Sequence, residues 1–294
     1  MAETFFGKNH QLNTMRQQDE LIADLIALAL EEDRVDDDIT TLSLLEFDNP
    51  VTAEVTAKAA GVISGMEVFR EVFRLVDPDV AVEVFKGDGA NVIPGDIVVS
   101  VHGLESSILR AERTALNFLQ QLSGIATATR HYVAKLESSG VSLLDTRKTT
   151  PGMRYLQKRA VKHGGGSNHR LNLSDMAMIK DNHIKMAGSI TSAVKTVASK
   201  NPSKKIELEV RNLEELREAL AISDKIDIIM LDNFALPEVE EAVKMCDKKV
   251  KLEISGNVTL ETIEEKARTG VDFISVGALT HSFKSLDLSL NIKR

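Results

Sequence analysis

The chain has 294 residues, 43% hydrophobic and 27% charged, with a net charge of −8 and one cysteine. This ordinary globular usage excludes a fibrous or wholly disordered protein, and the acidity argues against general nucleic-acid binding. Cys246 alone cannot form an intrachain disulfide or a multi-thiolate metal site. The most apolar early stretch, residues 21–30, already holds Asp24 and falls short of the ~20 apolar residues of a membrane span. Met1-Ala2-Glu3-Thr4 has no basic region leading into an apolar run, so no secretory signal is expected. A cytoplasmic protein without membrane or nucleic-acid partners fits these features.

Residues 13–31 read as one amphipathic helix, with Leu21, Ile22, Leu25, Ile26, Leu28 and Ala29 on its apolar face. Residues 36–41 read as a loop. Residues 51–58 alternate strictly, Val51, Ala53, Val55 and Ala57 against Thr52, Glu54, Thr56 and Lys58, which predicts a half-buried strand. A short strand over 61–65, a helix over 66–75 and a strand over 80–85 follow. Turns at 86–89 and 94–96 bracket short strands up to His102. Residues 104–122 predict a helix carrying Arg110, Arg113 and Asn117, broken at Ser123-Gly124, with a second helix to about 138.

From there the rhythm changes. Short apolar runs at 141–145, 177–180, 206–210, 228–232, 252–255 and 273–277 lead into polar or acidic residues. Helices are expected over 213–222, 237–246 and 260–269, with Asn212 as an N-cap, Pro237 in a first turn and Gly270 at a C-terminus. Glu209, Asp232, Ser255 and Gly277 recur at a β–α period of about 22 residues, which implies parallel strands joined by crossover helices. Six strands are fewer than the eight of a full barrel, so an irregular, incomplete TIM-like α/β barrel is expected, with its site at the strand C-termini. An open doubly wound sheet is the alternative, but no G-x-G-x-x-G follows a strand. The expected division is an N-terminal α/β sandwich domain over 1–122, a barrel over 123–282, and a tail over 283–294 that packs back on the first domain.

The charge is concentrated. Residues 145–185 hold nine Lys or Arg against three Asp, and three of the seven histidines. An acidic chain that gathers its cations in one segment points to a small, highly charged anion there, although a solvated basic face has the same composition. Arg147 can grip a carboxylate through two parallel hydrogen bonds, and Lys148 acts as a point charge for phosphate. Gly164-Gly165-Gly166 allow close backbone approach to a ligand or a lid motion, bringing His169 and Arg170 behind them. Lys180 at a strand end suits an anion, or a Schiff base as in an aldolase. Glu209 and Asp232 can bind ribose hydroxyls or a magnesium-bound ligand. Ser255-Gly256-Asn257 and Val276-Gly277-Ala278, with His281 nearby, can form a phosphate site late in a barrel. Together these suit a phosphorylated sugar meeting a polycarboxylate.

The chain resembles the quinolinate phosphoribosyltransferases, the carboxylating nicotinate-nucleotide pyrophosphorylases. The resemblance rests on DTRKTTPG at 145–152, the glycine-rich segment ending NHR at 168–170, MIKDNH at 178–183 and ELEV at 207–210. MLDNF at 230–234, EISGN at 253–257, VGALTHS at 276–282 and RTALNFLQQLSGIAT at 113–127 extend it. It runs from about residue 21 to 288; the first ~15 residues stand outside it.

The resemblance implies the sandwich-plus-barrel fold and a homodimer with shared active sites, a hexamer being left open. Quinolinate would be held by Arg147, His169, Arg170 and Lys180 together with Arg113 of the partner subunit. Lys148, Glu209 and Asp232 would serve 5-phosphoribosyl 1-diphosphate, with Mg2+ on the two carboxylates, and Thr146 is a further substrate-binding residue. Ser255, Gly256, Asn257, Val276, Gly277, Ala278 and His281 would take the 5-phosphate. Lys148, Glu209 and Asp232 are the expected catalytic groups, with no covalent nucleophile. The acidic pair of the other large phosphoribosyltransferase class is absent, since Met230-Leu231-Asp232-Asn233 has one acid. The alternatives are a barrel homologue with a shifted substrate, such as the one associated with molybdenum transport, a lysine Schiff-base lyase at Lys180, and a non-catalytic anion-binding module.

Overall fold

Alternation with period two builds the first sheet. The computed structural model describes residues 18–293, so residues 13–17 of the expected first helix lie outside the described residues. Helix α1 (Gln18–Glu32) leads to α2 (Ile39–Leu42), where a loop is expected. The helix forms because the Asp38 carboxylate accepts the Thr40 and Thr41 backbone N–H groups at 3.0 and 3.2 Å, an N-cap arrangement. In strand β1 (Pro50–Ala57), Ala53, Val55 and Ala57 are fully buried.

Strand β2 (Gly61–Val62) is shorter than expected. It stops because the Ser64 N–H bonds to Ser123 Oγ at 2.9 Å instead of to a strand. Gly65 in the left-handed region, φ 101°, then opens helix α3 (Met66–Val76). Strands β3 (Ala81–Val84), β4 (Asn91–Val92) and β5 (Ile97–Leu104) complete this part. Phe69 and Phe73 of α3 pack with ring centroids 5.0 Å apart against the inner face.

Helix α4 (Glu105–Leu136) runs 32 residues without interruption, so Ser123-Gly124 is not a break. The pair serves close packing. Ser123 Oγ also donates to the Ser64 carbonyl at 3.2 Å. A Cβ at Gly124 would stand 2.3 Å from the Lys284 carbonyl oxygen, so only glycine lets the returning chain lie on the helix there.

Beyond α4 the strands are parallel: β6 (Ser142–Leu144), β7 (Ala177–Ile179), β8 (Ile206–Val210), β9 (Ile228–Asp232), β10 (Lys251–Ser255) and β11 (Phe273–Ser275). Helices α5 (Arg154–His163), α6 (Asp181–Ala187), α7 (Ile190–Lys200), α8 (Leu213–Leu220), α9 (Leu236–Cys246), α10 (Ile263–Ala267) and α11 (Ala278–His281) lie among them. Helix α10 starts later than expected because Thr262 Oγ1 accepts the Thr259 N–H at 3.0 Å and holds a turn ahead of it.

The sheet order is β6-β11-β10-β9-β8-β7. The first strand lies beside the last, the order of a barrel cut open between β6 and β7. Residues 166–168 stand against β6 at that gap, bonded through Leu143 O, Ser167 N–H, Ser167 O and Asp145 N–H. This is the irregular, incomplete barrel that the sequence implies. The last strand, β12 (Leu288–Lys293), returns to pair antiparallel with β1, giving the first sheet the order β12-β1-β5-β3.

The first and third of the three glycines after α5 pack against α4. A Cβ at Gly164 would lie 2.4 Å from the Ala126 carbonyl, and one at Gly166 would lie 2.9 Å from Thr129 Cγ2, both in α4. Their role is close packing that delivers residues 167–170 to the barrel mouth. Gly124→Ala should therefore destabilise the protein by about 1–3 kcal/mol, the usual cost of overpacking, read as a lower urea midpoint with unchanged slope.

Candidate active site

A cavity of about 570 Å³ opens at the C-terminal ends of the parallel strands. Its wall contains Thr146, Arg147, Lys148, His169, Arg170, Lys180, Glu209, Asp232, Ser255, Gly256, Asn257, Val276, Gly277, Ala278 and His281. Every residue expected to touch substrate is thus brought together, except Arg113. Arg113 is on α4, its side chain 60% exposed and its guanidinium 3.8 Å from Glu112, outside the cavity of its own chain.

Asp145, at the end of β6, organises the cationic rim. Its fully buried carboxylate pairs with the buried Lys158 ammonium of α5. It also accepts Asn168 Nδ2–H at 2.6 Å and the His169 backbone N–H at 2.9 Å. Burial pushes the Asp145 carboxyl up and the Lys158 ammonium down, each opposed by the charge of the other. Lys158 Nζ further donates to the His169 carbonyl at 3.0 Å. The loop after β6 is pinned by Gln157, whose side chain accepts the Thr150 N–H at 3.0 Å and donates to Thr150 Oγ1 at 2.9 Å.

Two guanidinium groups stand beside each other on this rim. Arg147 Nε is buried and has no hydrogen-bond partner in the chain. Arg170, 9% exposed, donates from one terminal nitrogen to the Met176 carbonyl at 3.1 Å. Burial, then the neighbouring Arg147 charge, hold Arg170 below the ordinary arginine value. Two crowded cations with an unmet donor favour an anion between them.

The opposite wall is acidic. Lys180, leading from β7 into α6, forms an ion pair with Glu209 near the end of β8. Asp232 ends β9 and accepts Asn233 Nδ2–H at 3.0 Å. At the ends of β10 and β11 the backbone bends sharply. Gly256 has φ 94° and Asn257 φ 49°, and a Cβ at Gly256 would lie 2.1 Å from Asn233 Oδ1. Gly277 sits between Lys148 and His281, whose side-chain atoms would each be 3.1 Å from a Cβ placed there.

Sequence reasoning did not place Met178, Met230, Glu253, Val258 and Ser275, which also line the cavity. Nor did it place Glu207 beneath the floor. Glu207 and Glu253 are fully buried. The signal was available: a glutamate between apolar neighbours in IELEV and in KLEIS sits on an inward strand position, two residues before a site residue.

His169 lies over this pair, its Nε2 2.7 Å from Glu207 Oε2 and 3.7 Å from Glu253 Oε2. Its Nδ1 accepts the Arg170 backbone N–H at 2.8 Å. Burial lowers the His169 pKa, but the two carboxylates outweigh it and raise the pKa overall.

Fold and site together define an α/β-barrel enzyme built to bring polyanions against one another at its strand ends. The family model for the C-terminal domain of quinolinate phosphoribosyl transferase matches residues 125–291, and that for the N-terminal domain matches 38–123. The chain is 42% identical over 286 residues to the chloroplastic carboxylating nicotinate-nucleotide pyrophosphorylase of Arabidopsis thaliana, covering 91% of this chain and 82% of that one. It is 40% identical over 289 residues to a mitochondrial decarboxylating quinolinate phosphoribosyltransferase of Nicotiana tabacum, covering 92% and 82%. The solved nicotinate-nucleotide pyrophosphorylase of Francisella tularensis superimposes with a TM-score of 0.90 at 40% identity, covering 97% and 100%. The chain belongs to the quinolinate phosphoribosyltransferase family.

Asp145→Asn should leave the Lys158 ammonium buried without its counter-charge. A loss of about 3–5 kcal/mol is expected from breaking such a pair, measured by urea unfolding at neutral pH.

Proposed function

We propose that the cavity seats quinolinate between Arg147, Arg170 and Lys180, with 5-phosphoribosyl 1-diphosphate running from Lys148 along Glu209 and Asp232. The 5-phosphate then lies on the turns Ser255-Gly256-Asn257 and Val276-Gly277-Ala278, beside His281. As a member of its family, the chain transfers phosphoribosyl to quinolinate with loss of carbon dioxide, giving nicotinate mononucleotide and diphosphate for NAD biosynthesis. The observation that carries the residue assignment is the buried, unpartnered Nε of Arg147 beside Arg170. A pyridine dicarboxylate supplies the acceptors that these donors lack.

The residue types follow from the reaction. The pyridine nitrogen attacks ribose C1 as the diphosphate leaves, so negative charge grows on the leaving group, where Lys148 stabilises it. Glu209 and Asp232 face the ribose hydroxyls. The new pyridinium nitrogen then withdraws electrons from the adjacent C2, and its carboxylate departs as carbon dioxide. Arg147 and Arg170 align the ring for both steps, so positioning and electrostatics carry much of the rate.

Mg2+ fits the same wall: Glu209 and Asp232 are hard oxygen donors from neighbouring strands, open to one cavity, and would hold the ion with retained waters. When bound, the ion neutralises the diphosphate charge.

Arg113 belongs to this scheme as a residue supplied across a homodimer. It is exposed and outside its own cavity, and Ile39, Phe47 and Leu109 nearby leave apolar surface bare, as an unmet interface does. A hexamer would be built from such dimers. Among the described residues no helix is long and apolar enough to cross a membrane. A cytoplasmic location is supported by the single, buried Cys246.

Two measurements check the reading. Purified protein given 5-phosphoribosyl 1-diphosphate, Mg2+ and quinolinate labelled with carbon-13 in its 2-carboxylate should form nicotinate mononucleotide and labelled carbon dioxide. A chelator should stop the reaction, and Arg147→Ala or Arg170→Ala should weaken quinolinate binding by about tenfold or more in calorimetry. Normal quinolinate binding by both variants would overturn the carboxylate site. Separately, mixing inactive Arg113→Ala with inactive Lys148→Ala protein should restore part of the activity after subunit exchange. No recovery despite exchange seen by mass spectrometry would remove Arg113 from the neighbouring site.

A further inference from the structure

5-Phosphoribosyl 1-diphosphate carries charge at both ends of one ribose, so a site for it has to hold two cradles at a fixed separation. Lys148, on the loop after β6, serves one end, and the turn Val276-Gly277-Ala278, after β11, serves the other. The two strands are neighbours, paired in parallel as far as Ser275 and Leu144. The Val276 N–H still reaches the Leu144 carbonyl at 2.9 Å. Beyond that bond the ladder ends, and Lys148 and Gly277 both lie past it.

Among the described residues, the next hydrogen bond between the two segments comes from one side chain. Thr280 is fully buried, and its Oγ1 donates to the Lys148 carbonyl at 2.9 Å. The hydroxyl also stands 3.3 Å from the Gly277 carbonyl. That oxygen already accepts the Thr280 and His281 backbone N–H groups at 3.1 and 3.3 Å. A hydroxyl has one proton to give, and the shorter contact takes it to Lys148. The other backbone group of Lys148, its N–H, donates to Thr146 Oγ1 at 3.1 Å. The lysine backbone is thus held on both sides by threonine hydroxyls. Its side chain passes Gly277 so closely that a Cβ there would lie 3.1 Å from Lys148 Cδ.

We propose that Thr280 is a positioning residue: by tying the Lys148 backbone to the 276–278 turn, its hydroxyl sets the separation between the diphosphate and 5-phosphate ends of the bound sugar. The role rests on the phosphate assignments of the proposed function. Thr280 acts through Lys148 and is not part of the cavity wall. A lysine ammonium is a point charge on a flexible four-carbon stem, so fixing its backbone limits where that charge can stand. Charge grows on the leaving diphosphate, and a displaced cation stabilises it less. A ligand that carries only one of the two charged ends does not feel the separation. Nicotinate mononucleotide, with its 5-phosphate alone, is such a ligand, and quinolinate uses neither cradle.

Thr280→Val keeps the branched shape and removes the hydroxyl, and Thr280→Ser keeps the hydroxyl. Each variant is titrated by calorimetry with three ligands in turn: 5-phosphoribosyl 1-diphosphate with Mg2+, nicotinate mononucleotide, and quinolinate. Thr280→Val should weaken 5-phosphoribosyl 1-diphosphate by about fivefold or more, the scale of one lost hydrogen bond. It should leave the other two ligands within about twofold of native affinity. Thr280→Ser should bring 5-phosphoribosyl 1-diphosphate back to within about twofold of native. Native affinity for that ligand in Thr280→Val would overturn the proposal. A parallel loss of all three ligands, or no recovery in Thr280→Ser, would show that the side chain serves the fold alone and overturn it too. Should Thr280→Val not fold, Thr280→Ala is titrated with the same ligands and judged by the same outcomes. Failure of the native enzyme to bind 5-phosphoribosyl 1-diphosphate at all would strike the phosphate assignments themselves, and the proposal with them.

Discussion

A carboxylate sealed from water sits where the first barrel strand ends, and the site is arranged around its need for donors. Asp145 gathers the Lys158 ammonium, the Asn168 amide and the His169 backbone N–H onto two oxygens. Those contacts tie α5 and the segment after it to the strand. Such a pair contributes little net stability compared with apolar packing, but it is costly to break, so it fixes one arrangement. The arrangement it fixes brings Arg147, two residues past the buried group, beside Arg170. The cationic rim is thus held by charges that never meet the solvent.

Around this anchor the cavity separates its signs. Arg147, with an unmet donor, stands beside Arg170, and the carboxylates of Glu209 and Asp232 lie at the ends of β8 and β9. Neutralising every cation in advance would leave no field for an anionic substrate. Leaving every one bare would cost desolvation energy in the empty protein. The chain does both in part: Lys158 and Lys180 are paired, while Arg147 keeps a free donor. That division suits a reaction in which two negatively charged molecules must be brought together before bond formation.

Much of this was legible in the sequence. The alternation of β1, the recurring period of the later strands and the cationic run from Asp145 are local patterns, and local patterns survive in a linear reading. The strands at 206–210 and 228–232 fall where their apolar runs put them. What was misread depended on distant partners. Gly124 looks like a helix breaker because nothing nearby says that residue 284 lies on it. The packing of Gly164 and Gly166 on α4 is hidden in the same way, because α4 is some 40 residues away in the chain. Glu207 and Glu253 become visible as a pair only when two strands are laid in one sheet. His169 lines the cavity, and the contacts of its ring with Glu207 and the Arg170 backbone could not be read from the sequence.

The return of the last strand has a consequence for how the molecule is made. β12 lies on the outer edge of β1, so residues 52–57 are completed by residues 288–293. On the ribosome residues 50–104 of the first sheet precede residues 288–293, so the outer edge of β1 lacks its partner while the barrel residues between them are synthesised. The barrel must therefore be laid down between the two halves of a sheet that is still waiting for its last member. A sheet whose early strands would in most chains close first here waits for the barrel, and the nascent chain carries an unpaired strand edge while all six barrel strands are made.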